Sequence, residues 1–159
     1  MNSAARPTVL AAIDFSPITS EVISAAVQLA DSRDARLILE HVITVPPAAV
    51  NFDLAAAEMT PLLADAKAQA EGRMASAGRV VTEVPLETFC QVGVPALEIC
   101  RRARETGAHF IVIGSHGHGA LYELLIGSTT QGVLRHASCP VLVIPASSHG
   151  QASPPAAID

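Results

Sequence analysis

The sequence predicts an α/β protein: a single domain built on a doubly wound, five-stranded parallel sheet. Short apolar runs of strand length alternate along the chain with longer segments of helical periodicity. That order gives parallel strands joined by right-handed helical crossovers. Half of the 159 residues are apolar, yet aromatics make up 3% and tryptophan is absent. Ala, Val, Ile and Leu must therefore carry the core, as suits helices laid on a parallel sheet. A chain of this length buries a full core without disulfides or metal.

Residues 8–13, an apolar run ending at Asp14, read as the first strand. Ser16 and Pro17 mark a helix start, with a hydroxyl at the N-cap and proline in the first turn. Ile18, Val22, Ala25, Ala26 and Leu29 follow at helical spacing to about residue 33. Residues 36–43 form the second strand, and Pro46-Pro47 lies in a loop over 44–52. An alanine-rich helix runs to about residue 77, with Leu62, Ala66, Ala70 and Met74 on one face. Thr60-Pro61 marks either its start or an internal break.

The third strand falls within 81–92, and Gly93-Val94-Pro95 opens a helix over 96–105 that Thr106-Gly107 ends. Residues 109–113 are the fourth strand, 129–136 a helix and 140–144 the fifth strand. The domain thus takes residues 1–145, and the Ser-, Pro- and Ala-rich residues from 146 onward are expected to be disordered.

The net charge of −5 argues against nucleic acid as a partner. No uncharged apolar stretch approaches the ~18 residues of a membrane span, and the N-terminal residues have no signal-peptide core. Cys90, Cys100 and Cys139 stand at no metal-ligand spacing and read as buried reduced thiols, which implies a cytoplasmic location.

The most informative segment follows the fourth strand. Gly114-Ser115-His116-Gly117 is separated by nine residues from Gly127-Ser128, with Thr129 and Thr130 next. A strand opening into a glycine-rich turn, with hydroxyls at a following helix start, can cradle an anion on backbone N–H groups and the helix dipole. Two plainer readings stand beside this one: a tight turn for the glycines and an N-cap cluster for Ser128, Thr129 and Thr130. The segment lacks the lysine of a Walker loop, and it follows a late strand rather than the first, unlike the dinucleotide fingerprint. No Lys or Arg occurs between Arg104 and Arg135, and Lys67 is the only lysine in the chain. A phosphate held here would rely on backbone, hydroxyls, histidines or a metal ion.

With these residues in view, the chain resembles the universal stress protein family, in the branch that binds ATP. The likeness extends over about residues 9–144. It rests on Ile13-Asp14-x-Ser16, His41-Val42-Ile43, Gly93-x-Pro95, the G-x2-G-x9-G-S motif from Gly114 to Ser128, and Cys139-Pro140 with the strand after it. The resemblance implies a Rossmann-like fold of the adenine nucleotide alpha hydrolase type. It also implies a cytoplasmic, nucleotide-dependent regulator or sensor in stress response that takes ATP with Mg²⁺.

On that resemblance, Ala12, Ile13 and Asp14 would line the adenosine pocket, with Asp14 either a polar anchor or a local turn cap. Val42 would contact adenine. Ile113, Gly114 and Gly117 would border ribose and the first phosphate, and Gly127, Ser128, Thr129 and Thr130 would hold phosphates. His116 belongs to the motif as a turn residue or nucleotide contact. His118 stands where relatives often have Lys or Arg. As a phosphate contact it would weaken binding as pH rises from about 6 to 8, whereas an exposed loop histidine would not.

No side-chain metal site is assigned, because His116, His118, His41 and His136 have no recognised ligand spacing. The family likeness further implies a homodimer through Val141, Leu142, Val143 and Ile144. The rival functions are slow ATP hydrolysis or autophosphorylation on Ser128 or Thr129, and an interaction module that binds AMP or no nucleotide.

Overall fold

The computed structural model describes residues 6–44, 55–115 and 126–146. Strands β1 (Thr8–Ala12), β2 (Arg36–Thr44), β3 (Leu86–Gly93), β4 (Phe110–Gly114) and β5 (Val141–Ile144) alternate with helices α1 (Thr19–Asp31), α2 (Ala55–Gly78), α3 (Pro95–Glu105) and α4 (Ser128–His136). The sheet runs β3-β2-β1-β4-β5, and every pairing is parallel. The chain winds outward from β1 to β3, then crosses back over β1 to β4 and β5. The winding direction therefore reverses between β1 and β4, and their carboxyl ends diverge to open a crevice there.

Side chains alternate between the two faces of each strand. Val9, Ala11, Leu37, Leu39 and Val112 pack with Val22, Ala26 and Ala30 of α1 and Met74 of α2. Leu10, Ala12, Ile38, Val42, Ile111 and Ile113 pack on the opposite face with Ile99, Cys100 and Ala103 of α3 and Val133 of α4. Both faces of the central strands are covered, which is why those strands read as unbroken apolar runs.

One boundary differs from the sequence reading, and two others are narrowed. The first helix begins at Thr19, not at Ser16-Pro17. The Asp14 carboxylate accepts the Ser16 N–H at 3.0 Å, Phe15 takes φ 61°, and the Ser16 carbonyl accepts the Thr19 N–H at 3.0 Å. This Asx-type turn uses the capping groups before the helix starts, and the N-cap position falls to Ile18 with no side-chain cap bond. Pro61 lies inside α2, the internal of the two positions that the sequence left open. The third strand, expected within 81–92, begins at Leu86, after Pro85, with Val81 already in the core ahead of it.

Gly107, at φ +61°, closes α3 in the left-handed conformation expected of a residue just past a helix end. The Ala146 N–H donates to Ser115 Oγ at 3.0 Å. The remainder of the expected tail, residues 147–159, lies outside the described residues.

Each phenylalanine among the described residues carries a guanidinium over its ring. Arg33 sits 4.6 Å from the centroid of Phe110, Arg73 4.1 Å from Phe15 and Arg102 4.0 Å from Phe89. A flat guanidinium covers an aromatic face as a compact ammonium does not.

Candidate functional site

A cavity of about 590 Å³ opens at the carboxyl ends of β1, β2 and β4. Its location is the one that the winding reversal dictates. Ala12, Val42, Ile99 and Ile113 give it an apolar floor, while Asp14, Gly114, Gly127, Ser128, Thr129 and Thr130 give it a polar rim. Ten of the thirteen expected site residues thus line one space: Ala12, Ile13, Asp14, Val42, Ile113, Gly114, Gly127, Ser128, Thr129 and Thr130. His116, Gly117 and His118 lie outside the described residues.

The rim is assembled by backbone bonds at the start of α4. The Gly127 N–H donates to the Ser115 carbonyl at 2.8 Å, and the Ser115 N–H donates to the Ile144 carbonyl at 2.7 Å. Thr130 is buried, and its hydroxyl donates to the Gly114 carbonyl at 2.7 Å, pinning α4 to the end of β4. Its hydroxyl is therefore committed to the scaffold. Ser128 and Thr129 are left to present hydroxyls, with the first-turn N–H groups that helix geometry leaves without an intrahelical acceptor. Gly127 itself has φ −62° and ψ 154°, a conformation open to any residue, so no backbone strain requires a glycine there.

Asp14 lines the cavity, and its carboxylate also closes the turn to Ser16, the local role that the sequence allowed it. His41 lies 2.8 Å by Nδ1 from the Ile13 carbonyl, and since a carbonyl only accepts, Nδ1 carries the proton. Its ring meets Phe15 at 4.5 Å between centroids. Phe15, strained at positive φ, is thereby clamped between His41 and Arg73 at the β1–α1 turn.

Glu40 is the acidic residue of the cavity lining that sequence reasoning missed. It is fully buried in β2, yet it borders the cavity. Gln91 Nε2 donates to Oε1, Arg102 Nε stands 3.6 Å from that same oxygen, and Oε2 has no hydrogen-bond partner. Burial outweighs the nearby Arg102 charge and pushes the carboxyl up to about 7. The available signal was a single carboxylate that directly follows the buried apolar run Leu37-Ile38-Leu39.

No Lys or Arg is among the described residues that line the cavity, and no group of three or more His, Cys, Asp or Glu gathers at metal-binding range among them. None of the described helices is long and apolar enough to cross a membrane.

Comparisons with known proteins agree with this architecture. The model of the universal stress protein family matches residues 6–145. Universal stress protein YxiE of Bacillus subtilis is 31% identical over 142 residues, spanning 85% of this chain and 96% of its own length. The solved structure of MJ0577, a universal stress protein of Methanocaldococcus jannaschii, superposes with TM-score 0.72 at 26% identity, over 91% of this chain and 99% of that one. A universal stress protein solved in complex with cAMP shares the fold, with TM-score 0.59 at 24% identity over 91% of this chain and all of that one. With its Rossmann-like sheet and the match along nearly its whole length, the chain belongs to the universal stress protein family.

Proposed function

We propose that this protein binds ATP in the β1–β4 cavity and acts as a nucleotide-dependent regulator of the stress response in the cytoplasm. The observation that carries the reading is the polarity gradient of one cavity. Its floor of Ala12, Val42, Ile99 and Ile113 suits a base, and its rim of Gly127, Ser128 and Thr129 at the start of α4 suits phosphates. The fold accommodates a nucleotide in the relative solved with cAMP, which supports the same class of ligand. Asp14 and the rim hydroxyls supply the oxygen donors that a Mg²⁺ carried in on ATP would accept.

Among the described residues the rim presents no Lys or Arg to stabilise a developing phosphoryl charge, which favours binding over efficient turnover. Switching then requires that ATP bind two conformations with different affinity. The test is calorimetric titration of ATP into the wild-type chain and Gly127→Val. Because the Gly127 backbone tolerates valine, the variant folds but crowds the rim, and its affinity is expected to fall at least about tenfold. Equal affinity would remove the rim from the site. Steady phosphate release from the wild type would replace the sensor with an enzyme.

The protein is also proposed to form a homodimer along β5. Val141, Leu142, Val143 and Ile144 form an edge strand whose only partner among the described residues is β4, and Leu142 is 41% exposed. Such an edge is a template for a second strand. Leu142→Lys is expected to convert the dimer to a monomer in light scattering after size-exclusion chromatography. A monomeric wild type would end this reading.

A further inference from the structure

The turn between β1 and α1 stands on a backbone conformation that its central residue does not favour. Phe15 has φ 61°, in the left-handed region where the Cβ of an L-residue is crowded by the backbone. Gly, Asn and Asp enter that region readily, whereas a bulky side chain there is an outlier that its surroundings must hold. The hold comes from three directions. From β2, the His41 ring meets the Phe15 ring at 4.5 Å between centroids. From α2, the Arg73 guanidinium covers that ring at 4.1 Å, and its Nη2 donates to the Phe15 carbonyl at 3.4 Å. Within the turn, the Ser16 N–H donates to the Asp14 carboxylate.

The residues on either side of Phe15 belong to the cavity. Ile13, Asp14 and Ser16 line it, whereas Phe15 lines an open groove that it shares with Gln69, Gly72, Arg73 and Ser76. Ile13 is fixed on its own account, because its N–H donates to the Glu40 carbonyl and its carbonyl accepts from His41 Nδ1. The bond from Ser16 to Asp14 spans Phe15. With Ile13 fixed, rotating φ of Phe15 alone to a negative value swings the Ser16 N–H away from the carboxylate. Among the described residues, none that lines the cavity belongs to α2. The Phe15 ring is therefore the route by which Arg73 touches the site.

We propose that Phe15 is a positioning residue of the cavity: its ring, held by Arg73 of α2 and His41 of β2, fixes the left-handed turn that keeps Asp14 in the cavity wall. Its bearing on affinity rests on the nucleotide reading above. Only molecules with the turn in place are competent to bind, and apparent affinity falls in proportion to that fraction. Glycine takes positive φ about as readily as negative φ, so Phe15→Gly keeps roughly half the molecules competent and costs about twofold in ATP affinity. Alanine keeps the strain and loses the ring that holds it, so Phe15→Ala costs about fivefold or more. Lost ring packing by itself would weaken the two variants alike.

The experiment joins calorimetric titration of ATP into the full chain with amide hydrogen exchange of the unliganded protein. Affinity should fall in the order wild type, Phe15→Gly, Phe15→Ala. Phe15→Tyr, which keeps an aromatic face for Arg73 and His41, should stay within about twofold of the wild type. Exchange reads the open turn directly, without any ligand. Arg73 is exposed, so Arg73→Met folds, and it should speed exchange of the Ser16 N–H about two- to fivefold. The Ile13 N–H, whose bond to β2 does not span Phe15, should keep its wild-type rate. Equal ATP affinity in the folded alanine and glycine variants, or a Ser16 rate unchanged by Arg73→Met, would overturn the proposal. If Phe15→Ala does not fold, the Ser16 rate decides alone. A wild type that binds no ATP while Arg73→Met still speeds Ser16 overturns the nucleotide reading and supports the clamp.

Discussion

Gly132→Ala is expected to lower stability, the reverse of what the same change does in an ordinary helix. Replacing an interior helical glycine by alanine normally gains about 1 kcal/mol from backbone entropy. At Gly132 of α4 the added Cβ would stand 2.6 Å from the Cβ of Ala96 on α3. Ala96 has no flexible end to swing aside, so one helix must move bodily. Overpacking of that kind costs about 1–3 kcal/mol, and Gly132→Val belongs at or beyond the upper end. For a chain of this size the valine variant should lose roughly 6–12 °C in Tm. The displaced α4 also carries Ser128 and Thr129, so ATP affinity should fall with it.

Gly72→Ala on α2 is the control, since nothing lies within 4 Å of its added Cβ. It should gain stability by up to about 1 kcal/mol. Thermal melts of the three variants check both signs. Matching shifts at positions 72 and 132 would show that α3 and α4 are not in close contact.

The second large effect is a pH-dependent cost at Glu40. Its carboxyl titrates at about 7 in the folded protein against 4.5 as the reference for the unfolded chain. Between those values the unfolded chain has released the proton and the folded chain still holds it. Stability is therefore full below the unfolded value and is lost as pH rises through the folded one, by about 3 kcal/mol in total. Glu40→Gln mimics the protonated acid and escapes that loss. Urea unfolding should give the two proteins similar stability near pH 4.5, and the variant should be the more stable at pH 8, by about 3 kcal/mol. A gap that stays constant over this range would mean that Glu40 titrates normally.

Much of this molecule is legible in its sequence, for identifiable reasons. The strands at the sheet centre are buried on both faces, so their apolar runs are unambiguous, whereas the spatial order that opens the crevice between β1 and β4 is visible only in the structure. Ten of the residues to which the family resemblance pointed line one cavity, with Gly114 at the end of β4 and the hydroxyls at the start of α4. The β1–α1 turn misled because Asp14, Ser16 and Pro17 are all good capping residues. Only the left-handed Phe15 reveals that the Asx turn comes first. The third strand lies at the sheet edge, where half-exposed positions blur the pattern and Pro85 delays the start. Glu40 escaped notice because a strand pattern reports which positions are buried, not what a buried charge is there to meet.

The three guanidinium–phenylalanine stacks have a practical corollary. They draw on arginine, and the chain retains a single lysine, Lys67, on the exposed surface of α2 and away from the cavity walls. Acylation of side-chain amines therefore has only one target and none at the cavity. The same scarcity makes the protein a convenient reporter of itself. A dye coupled through amine chemistry at Lys67 would label one side-chain position, leave the pocket untouched, and let ligand binding or subunit exchange be followed without introducing a cysteine.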